Sequence, residues 1–288
     1  MIISASRRTD IPAFYSDWFM KNIRNGYVTI QNPYNGYSKD ISLKVEDVDC
    51  IVFWTRNPSN MYKYLDELNE MGYNYYFQYT LTGYPRILEK SVLNPYKSIE
   101  VFKKISDKIS SNRIIWRYDP IIYCNIVNID EHIRLFNKIA KYLNGYTNKV
   151  IISFVDLYNK TIRNLNKIDN FKYVDILDKK YIKLLDKLLM NFSDIAEDNN
   201  LKIESCSEKI DLSKYDIQHA KCIDGDFIKK EFNLNINFNK DKNQRQTCGC
   251  VKSIDIGMYN SCLHGCEYCY ANENKDLVKK NYKMFFKK

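Results

Sequence analysis

The sequence predicts an α/β protein, a TIM-like partial barrel of about six or seven strand–helix units that ends in a cysteine-rich segment. Three observations carry this expectation. Short β-branched or apolar runs recur, each followed by polar residues and then a helical pattern, which is how alternating βα units read. The 288 residues suffice for one such body. Seven of the nine cysteines lie at or beyond position 206, so the thiols are concentrated towards one end.

The first strand is expected at residues 2–6, followed by a helix at 14–25. Residues 27–31 and 41–45 read as two strands around the turn-rich Asn32-Pro33-Tyr34-Asn35-Gly36, a hairpin inserted at about 27–45. Further strands are expected at 50–54, 75–81, 113–117, 150–155, 201–205 and 253–257. Helices are expected at 58–71, 98–110, 129–143 and 173–197. The first of these has Pro58 in its opening turn, Met61, Tyr64, Leu65 and Leu68 on one face, and Gly72 as a C-cap. Residues 233–245 are the most loop-like stretch and divide a barrel body, 1–232, from a cysteine-rich segment with a C-terminal helix packed on the barrel, 233–288.

No stretch approaches the roughly 20 apolar residues of a membrane span, and the N-terminal apolar run ends in two arginines, the reverse of a secretory signal. A cytoplasmic protein with no membrane partner is therefore expected. In that compartment thiols stay reduced, and clustered cysteines usually hold metal. A net charge of +9 raises a nucleic-acid partner, but a basic balance speaks first to solubility and non-specific attraction. The Lys-rich residues 275–288 read either as a nucleic-acid contact or, more simply, as a solvated amphipathic helix.

The most specific pattern is C-L-H-G-C-E-Y-C-Y-A, with Cys262, Cys266 and Cys269 spaced C-x3-C-x2-C, Tyr268 before the last cysteine and Gly265 where the loop turns. Three thiolates leave one iron of a cubane free, whereas a structural zinc site closes with four protein ligands. The alternative is a zinc knuckle that adds His264. Cys206, Cys222, Cys248 and Cys250 form a full set of four ligands, read as a second iron–sulfur cluster, with an all-cysteine zinc site second and plain buried thiols third. Cys50 and Cys124, in apolar surroundings, read as core or loop residues.

The C-x3-C-x2-C loop, with its aromatic, resembles the cluster loop of the radical S-adenosylmethionine superfamily. The resemblance implies a [4Fe-4S] cluster whose open iron is chelated by S-adenosylmethionine, a 5'-deoxyadenosyl radical as product of C–S cleavage, and an electron donor such as flavodoxin or ferredoxin. In that superfamily the loop follows the first barrel strand; here it comes late, so residues 253–259 are expected to supply a strand-like lead into it. The chain has no glycine-glycine-glutamate motif of the kind that binds the methionine amino group.

Reacting groups in such barrels come from the C-terminal ends of the strands. Those positions are polar here: Ser4, Ser6, Arg7, Arg8, Thr9 and Asp10; Trp54, Thr55, Arg56 and Asn57; Gln78; Arg117 and Asp119; Ser153; Glu204. Ordinary solvated loop starts would look alike residue by residue. Only 10 of the 44 basic residues are arginine, and Arg7, Arg8, Arg56, Arg86 and Arg117 fall at or just after predicted strand ends. Where Lys would supply charge, Arg marks a need for a planar fork. Arg117, Asp119 and Asp10 are the catalytic candidates, and Arg7, Arg56, Gln78, Ser153, Glu204 and Tyr268 are the candidates for holding the cofactor or an anionic substrate.

S-A-S-R-R-T-D-I-P, F-W-T-R-N-P, R-Y-D-P, K-C-I-D-G and C-G-C-V-K-S-I-D-I-G together resemble, over nearly the full length, a family of bacterial proteins catalogued as domain of unknown function 1848. That likeness implies the architecture and no reaction. The expected function is a radical S-adenosylmethionine enzyme of unknown substrate; the alternative is a non-catalytic iron–sulfur or zinc protein, associated in one version with nucleic acid.

Overall fold

A computed structural model describes residues 1–31, 36–206 and 208–285. The turn expected at 32–35 and the last three residues of the tail lie outside them. The main element is a parallel sheet of eight strands: β1 (Ile2–Ala5), β4 (Cys50–Thr55), β5 (Tyr75–Thr80), β6 (Ile114–Ile121), β7 (Lys149–Phe154), β8 (Lys202–Ser205), β9 (Gln218–His219) and β10 (Ile254–Asp255). Its spatial order is β10-β1-β4-β5-β6-β7-β8-β9, and every neighbouring pair is parallel. From β1 to β9 the strands follow chain order. The late strand β10 then returns to lie beside β1, with Ile3 opposite Ile254. No ladder joins the two edge strands among the described residues, so the sheet is an open eight-stranded one.

Alternation along each strand explains why both faces are apolar, as parallel strands require. Ile3, Ala5, Ile51, Phe53, Tyr75, Phe77, Ile114, Trp116, Tyr118, Val150 and Ile152 share one core with the helices α2 (Ser16–Asn25), α3 (Leu65–Glu70), α4 (Pro95–Ile109), α5 (Ile129–Leu143), α6 (Asn159–Leu165) and α7 (Ile182–Asp198). The residues between them, Ile2, Cys50, Val52, Tyr76, Ile115 and Ile151, form the second face. That face is covered by Ala220, Cys222, Ile223, Cys248, Cys250, Val251 and Ile228 of α8 (Gly225–Glu231). Sequential strands whose crossovers share one face are wound in a single direction.

The second face continues in mostly polar residues towards the strand ends: Trp54, Gln78, Arg117, Ser153 and Cys206 keep the register of Val52, Tyr76, Ile115, Ile151 and Glu204. One face thereby points its C-terminal half at whatever the loops supply.

Several expected elements differ. The helix at 14–25 starts at Ser16, because Asp10 caps a separate turn, α1 (Ile11–Phe14), through Ala13 N–H at 2.9 Å. The helix at 58–71 breaks into two one-turn 3-10 helices before α3, as the Asn60 amide reaches across to Ala13 O at 2.6 Å. The helix at 173–197 begins only at Ile182. Asp175 accepts from Leu177 N–H, and Asp178 caps the turn Lys179–Tyr181, so side chains compete for the backbone there. The hairpin pairs β2 (Tyr27–Gln31) with β3 (Ser38–Ser42), placing the buried Val28 opposite the buried Ile41; Leu43 N–H bonds Gly26 O and leaves the ladder. The tail forms α9 (Lys275–Phe285). No described helix is long and apolar enough to cross a membrane.

Candidate metal centre

The loop bearing Cys262, Cys266 and Cys269 leaves the sheet from β10, at the end where the parallel strands finish. Asp255 fixes this departure: it accepts from Ser4 Oγ (2.9 Å), Ser6 Oγ (2.6 Å), Arg7 N–H (2.8 Å) and Gly257 N–H (3.0 Å). A Cβ at Gly257 would lie 2.0 Å from Ser6 Oγ, so only glycine fits. Farther on, Tyr15 donates to Ser261 O (2.5 Å) and Asn272 to Cys262 O (2.7 Å), while Ser91 N–H bonds His264 O and Glu267 N–H bonds Leu88 O. Gly265 takes φ +65°, the left-handed region that glycine tolerates best.

The three thiols are half-buried on the one loop, whose Cys269 N–H bonds Cys266 O at 3.2 Å. Burial pushes the Cys266 thiol up to about 12 against the opposing pull of Arg56, and burial holds Cys262 well above the thiol range. Metal binding to Cys262 and Cys266 must therefore displace their protons. The donor set, three soft sulfurs on one clamped loop, fits an iron–sulfur cluster with an unligated iron.

His264 occupies the same loop but faces Asp10, with Nε2 2.7 Å from Asp10 Oδ2, its ring against Phe14 and its buried Nδ1 without a hydrogen-bond partner. Asp10 also accepts from Thr55 Oγ1 (2.7 Å) and Arg56 N–H (2.7 Å). The expected catalytic carboxylate is thus fully engaged in joining α1, β4 and the cysteine loop.

Arg56 lies under the loop. Its Nη1 is 2.7 Å from Glu89 Oε1 and its Nη2 donates to Tyr268 Oη at 2.7 Å; Tyr268 in turn donates to Glu89, which also accepts from Thr82 at 2.7 Å. Arg56 and Tyr268 therefore brace the loop, and Glu89 and Asp255 are the carboxylates that sequence reasoning missed.

Arg117 and Arg7 belong to a different neighbourhood. Arg117 grips Asp119 Oδ2 with Nε (2.9 Å) and Nη2 (2.6 Å), and its Nη1 donates to Cys222 Sγ (3.0 Å) and Gln78 Oε1 (3.3 Å). Ser153 donates to the other Asp119 oxygen. Arg7 and Arg117 lie over Trp54, at 5.6 and 5.2 Å, and the buried Trp54 Nε1 has no partner. Gln78 spends its amide on Cys222 O (2.7 Å). Glu204 stays apart: it pairs with Lys149 (3.1 Å) and Lys202 (2.7 Å), the first residues of β7 and β8, away from the strand ends. Glu208, which no motif marked, sits beside this group. It accepts from Phe154 N–H at 3.0 Å, and burial, opposed by that bond and reinforced by Asp156 and Asp119, raises its carboxyl to about 7. Cys206, Cys222, Cys248 and Cys250 also lie here, with Cys206 Sγ 3.1 Å from Cys222 Sγ, while Cys50 and Cys124 are buried core residues.

The family model described as "Domain of unknown function (DUF1848)" matches residues 2–271. No curated protein matches the chain. Among solved structures, a "putative alpha-L-fucosidase" from Bacteroides thetaiotaomicron VPI-5482 aligns with 94% of this chain and 89% of its own, at 8% identity and a TM-score of 0.30.

Proposed function

This chain belongs to the family described as domain of unknown function DUF1848, and we propose that it is a radical S-adenosylmethionine enzyme whose [4Fe-4S] cluster is held by Cys262, Cys266 and Cys269. The observation that carries the reading is the trio of neighbouring thiols on one braced loop, set where the strands of a parallel sheet end. When bound, such a cluster supplies the electron that cleaves S-adenosylmethionine to a 5'-deoxyadenosyl radical. On this reading the single-direction sheet is a partial barrel whose C-terminal rim faces the cysteine loop.

The chain's own residues hold and shield. Asp255, Asp10 and the Arg56–Glu89–Tyr268 network fix the loop to β1, β4 and the segment before α4, so the thiols are preorganised for metal. The unpartnered Trp54 Nε1 is a donor available to a bound molecule, and Asp119, held by Arg117 and Ser153, is the partly open carboxylate beside it.

A closed Cys3His zinc knuckle competes, because His264 Nδ1 is unpaired while Asp10 orients the ring through Nε2, as second-shell carboxylates do. Anaerobic reconstitution with iron and sulfide separates the two. We expect about four irons on this loop, an EPR signal from the reduced cluster that changes when S-adenosylmethionine is added, and 5'-deoxyadenosine formed under dithionite. Cys266→Ser should abolish all three, whereas His264→Gln should leave the iron bound. Zinc that is lost in His264→Gln would replace this reading with the knuckle.

A further inference from the structure

The second set of cysteines comes from three separate stretches: Cys206 follows β8, Cys222 follows β9, and Cys248 and Cys250 precede Val251. Their thiols meet over the C-terminal half of the sheet's second face. Cys206 Sγ and Cys222 Sγ lie 3.1 Å apart, and Cys222, Cys248 and Cys250 pack into one buried cluster with Cys206 against it. The backbone carrying them is pinned, since Tyr76 Oη (2.8 Å) and Gln78 Nε2 (2.7 Å) both donate to Cys222 O. Two donors aim at the sulfurs themselves: Arg117 Nη1 at Cys222 Sγ (3.0 Å) and Ile223 N–H at Cys250 Sγ (3.3 Å).

Charge gives an independent indication. Arg117 is buried, with Asp119 as its counter-ion. Arg7 has Ser253 Oγ at 3.2 Å and the Trp54 ring, which it shares with Arg117, as neighbours, and no carboxylate forms a salt bridge with it among the described residues. Four neutral thiols would leave that half-buried guanidinium without a counter-charge. A metal centre ligated by four thiolates is anionic, and guanidinium and backbone N–H donors at its sulfurs are how proteins stabilise one.

We propose that Cys206, Cys222, Cys248 and Cys250 hold a second metal centre, an iron–sulfur cluster, between the sheet's second face and the segment around α8. The assignment does not depend on the C-x3-C-x2-C loop. A cluster is assigned over zinc on the donors at its sulfurs, Arg117 Nη1 and Ile223 N–H, since hydrogen bonds to the thiolates set a cluster's potential. Arg117, expected to grip a substrate or cofactor carboxylate, becomes on this reading a donor to the cluster's ligands.

The test separates the two centres. In the full chain with Cys262, Cys266 and Cys269 all replaced by Ser, anaerobic reconstitution should still give about two to four irons per chain, matching labile sulfide, and a thiolate-to-iron absorption band. Cys222→Ser with Cys250→Ser, made in the otherwise intact chain, should remove that share of iron and leave the first loop's EPR response to S-adenosylmethionine. Arg117→Gln should lower the reduction potential of the cluster retained by the loop-serine chain. Zinc in place of iron at the four cysteines, or an iron content that Cys222→Ser with Cys250→Ser does not change, would overturn the proposal.

Discussion

Asp10 shows what a single residue's surroundings do to an assignment made from type and position. Read at a strand end in S-R-R-T-D-I-P, it is a catalytic candidate; in the fold its oxygens serve Ala13 N–H, Thr55, Arg56 N–H and His264. Replacing it with Ala strands several buried donors, each costing about 1–3 kcal/mol when left unmet. Asp10→Ala is expected to lower stability by roughly 3 kcal/mol in urea titration and to speed the reaction of the loop thiols with a disulfide reagent. Unchanged stability would remove Asp10 from the framework. The scarcity of Arg did flag residues with demanding surroundings, for Arg7, Arg56 and Arg117 are each committed to rings, carboxylates or thiols. Their partners were not legible. Glu89, Asp255 and Glu208 owe their roles to strands and loops distant in the chain, and no local pattern distinguishes them from surface carboxylates.

At the level of elements, β-branched and aromatic runs were readable because a parallel strand buried on both faces must be apolar throughout. Even the short β10 was anticipated in S-I-D-I-G, as the lead into the cysteine loop. β9, with two exposed residues, α6 and α8 carried too little periodicity to be seen, and the break in 58–71 depends on a side chain from outside the segment. What joins β10 to its loop is the close passage of Gly257 over Ser6. Gly257→Ala should push β10 from β1, lowering stability by about 1–3 kcal/mol as overpacked sites do and reducing iron uptake by the loop. A variant with wild-type melting temperature and metal content would show that the backbone yields there freely.

For the molecule as a whole, strand order and the two-faced core follow from sequential βα units, but the sequence offered no way to see that residues 220–251 cover the second face. The expected division at 232–233 runs through that cover. A fragment 1–232 would lack β10, Cys248, Cys250 and Val251, exposing Ile2, Val52 and Tyr76. It should therefore bind hydrophobic dyes and melt without a cooperative transition in calorimetry; a sharp transition would establish 1–232 as an autonomous body. The contact of β10 with β1 also sets an order of events during synthesis. The outer edge of β1 has no partner until residues 254–255 leave the ribosome, so Cys262, Cys266 and Cys269 reach their seat only after the preceding strands have been made. A growing chain cannot assemble this loop before residues 254–255 have been made, so on the proposed reading any factor delivering metal to it must wait for them.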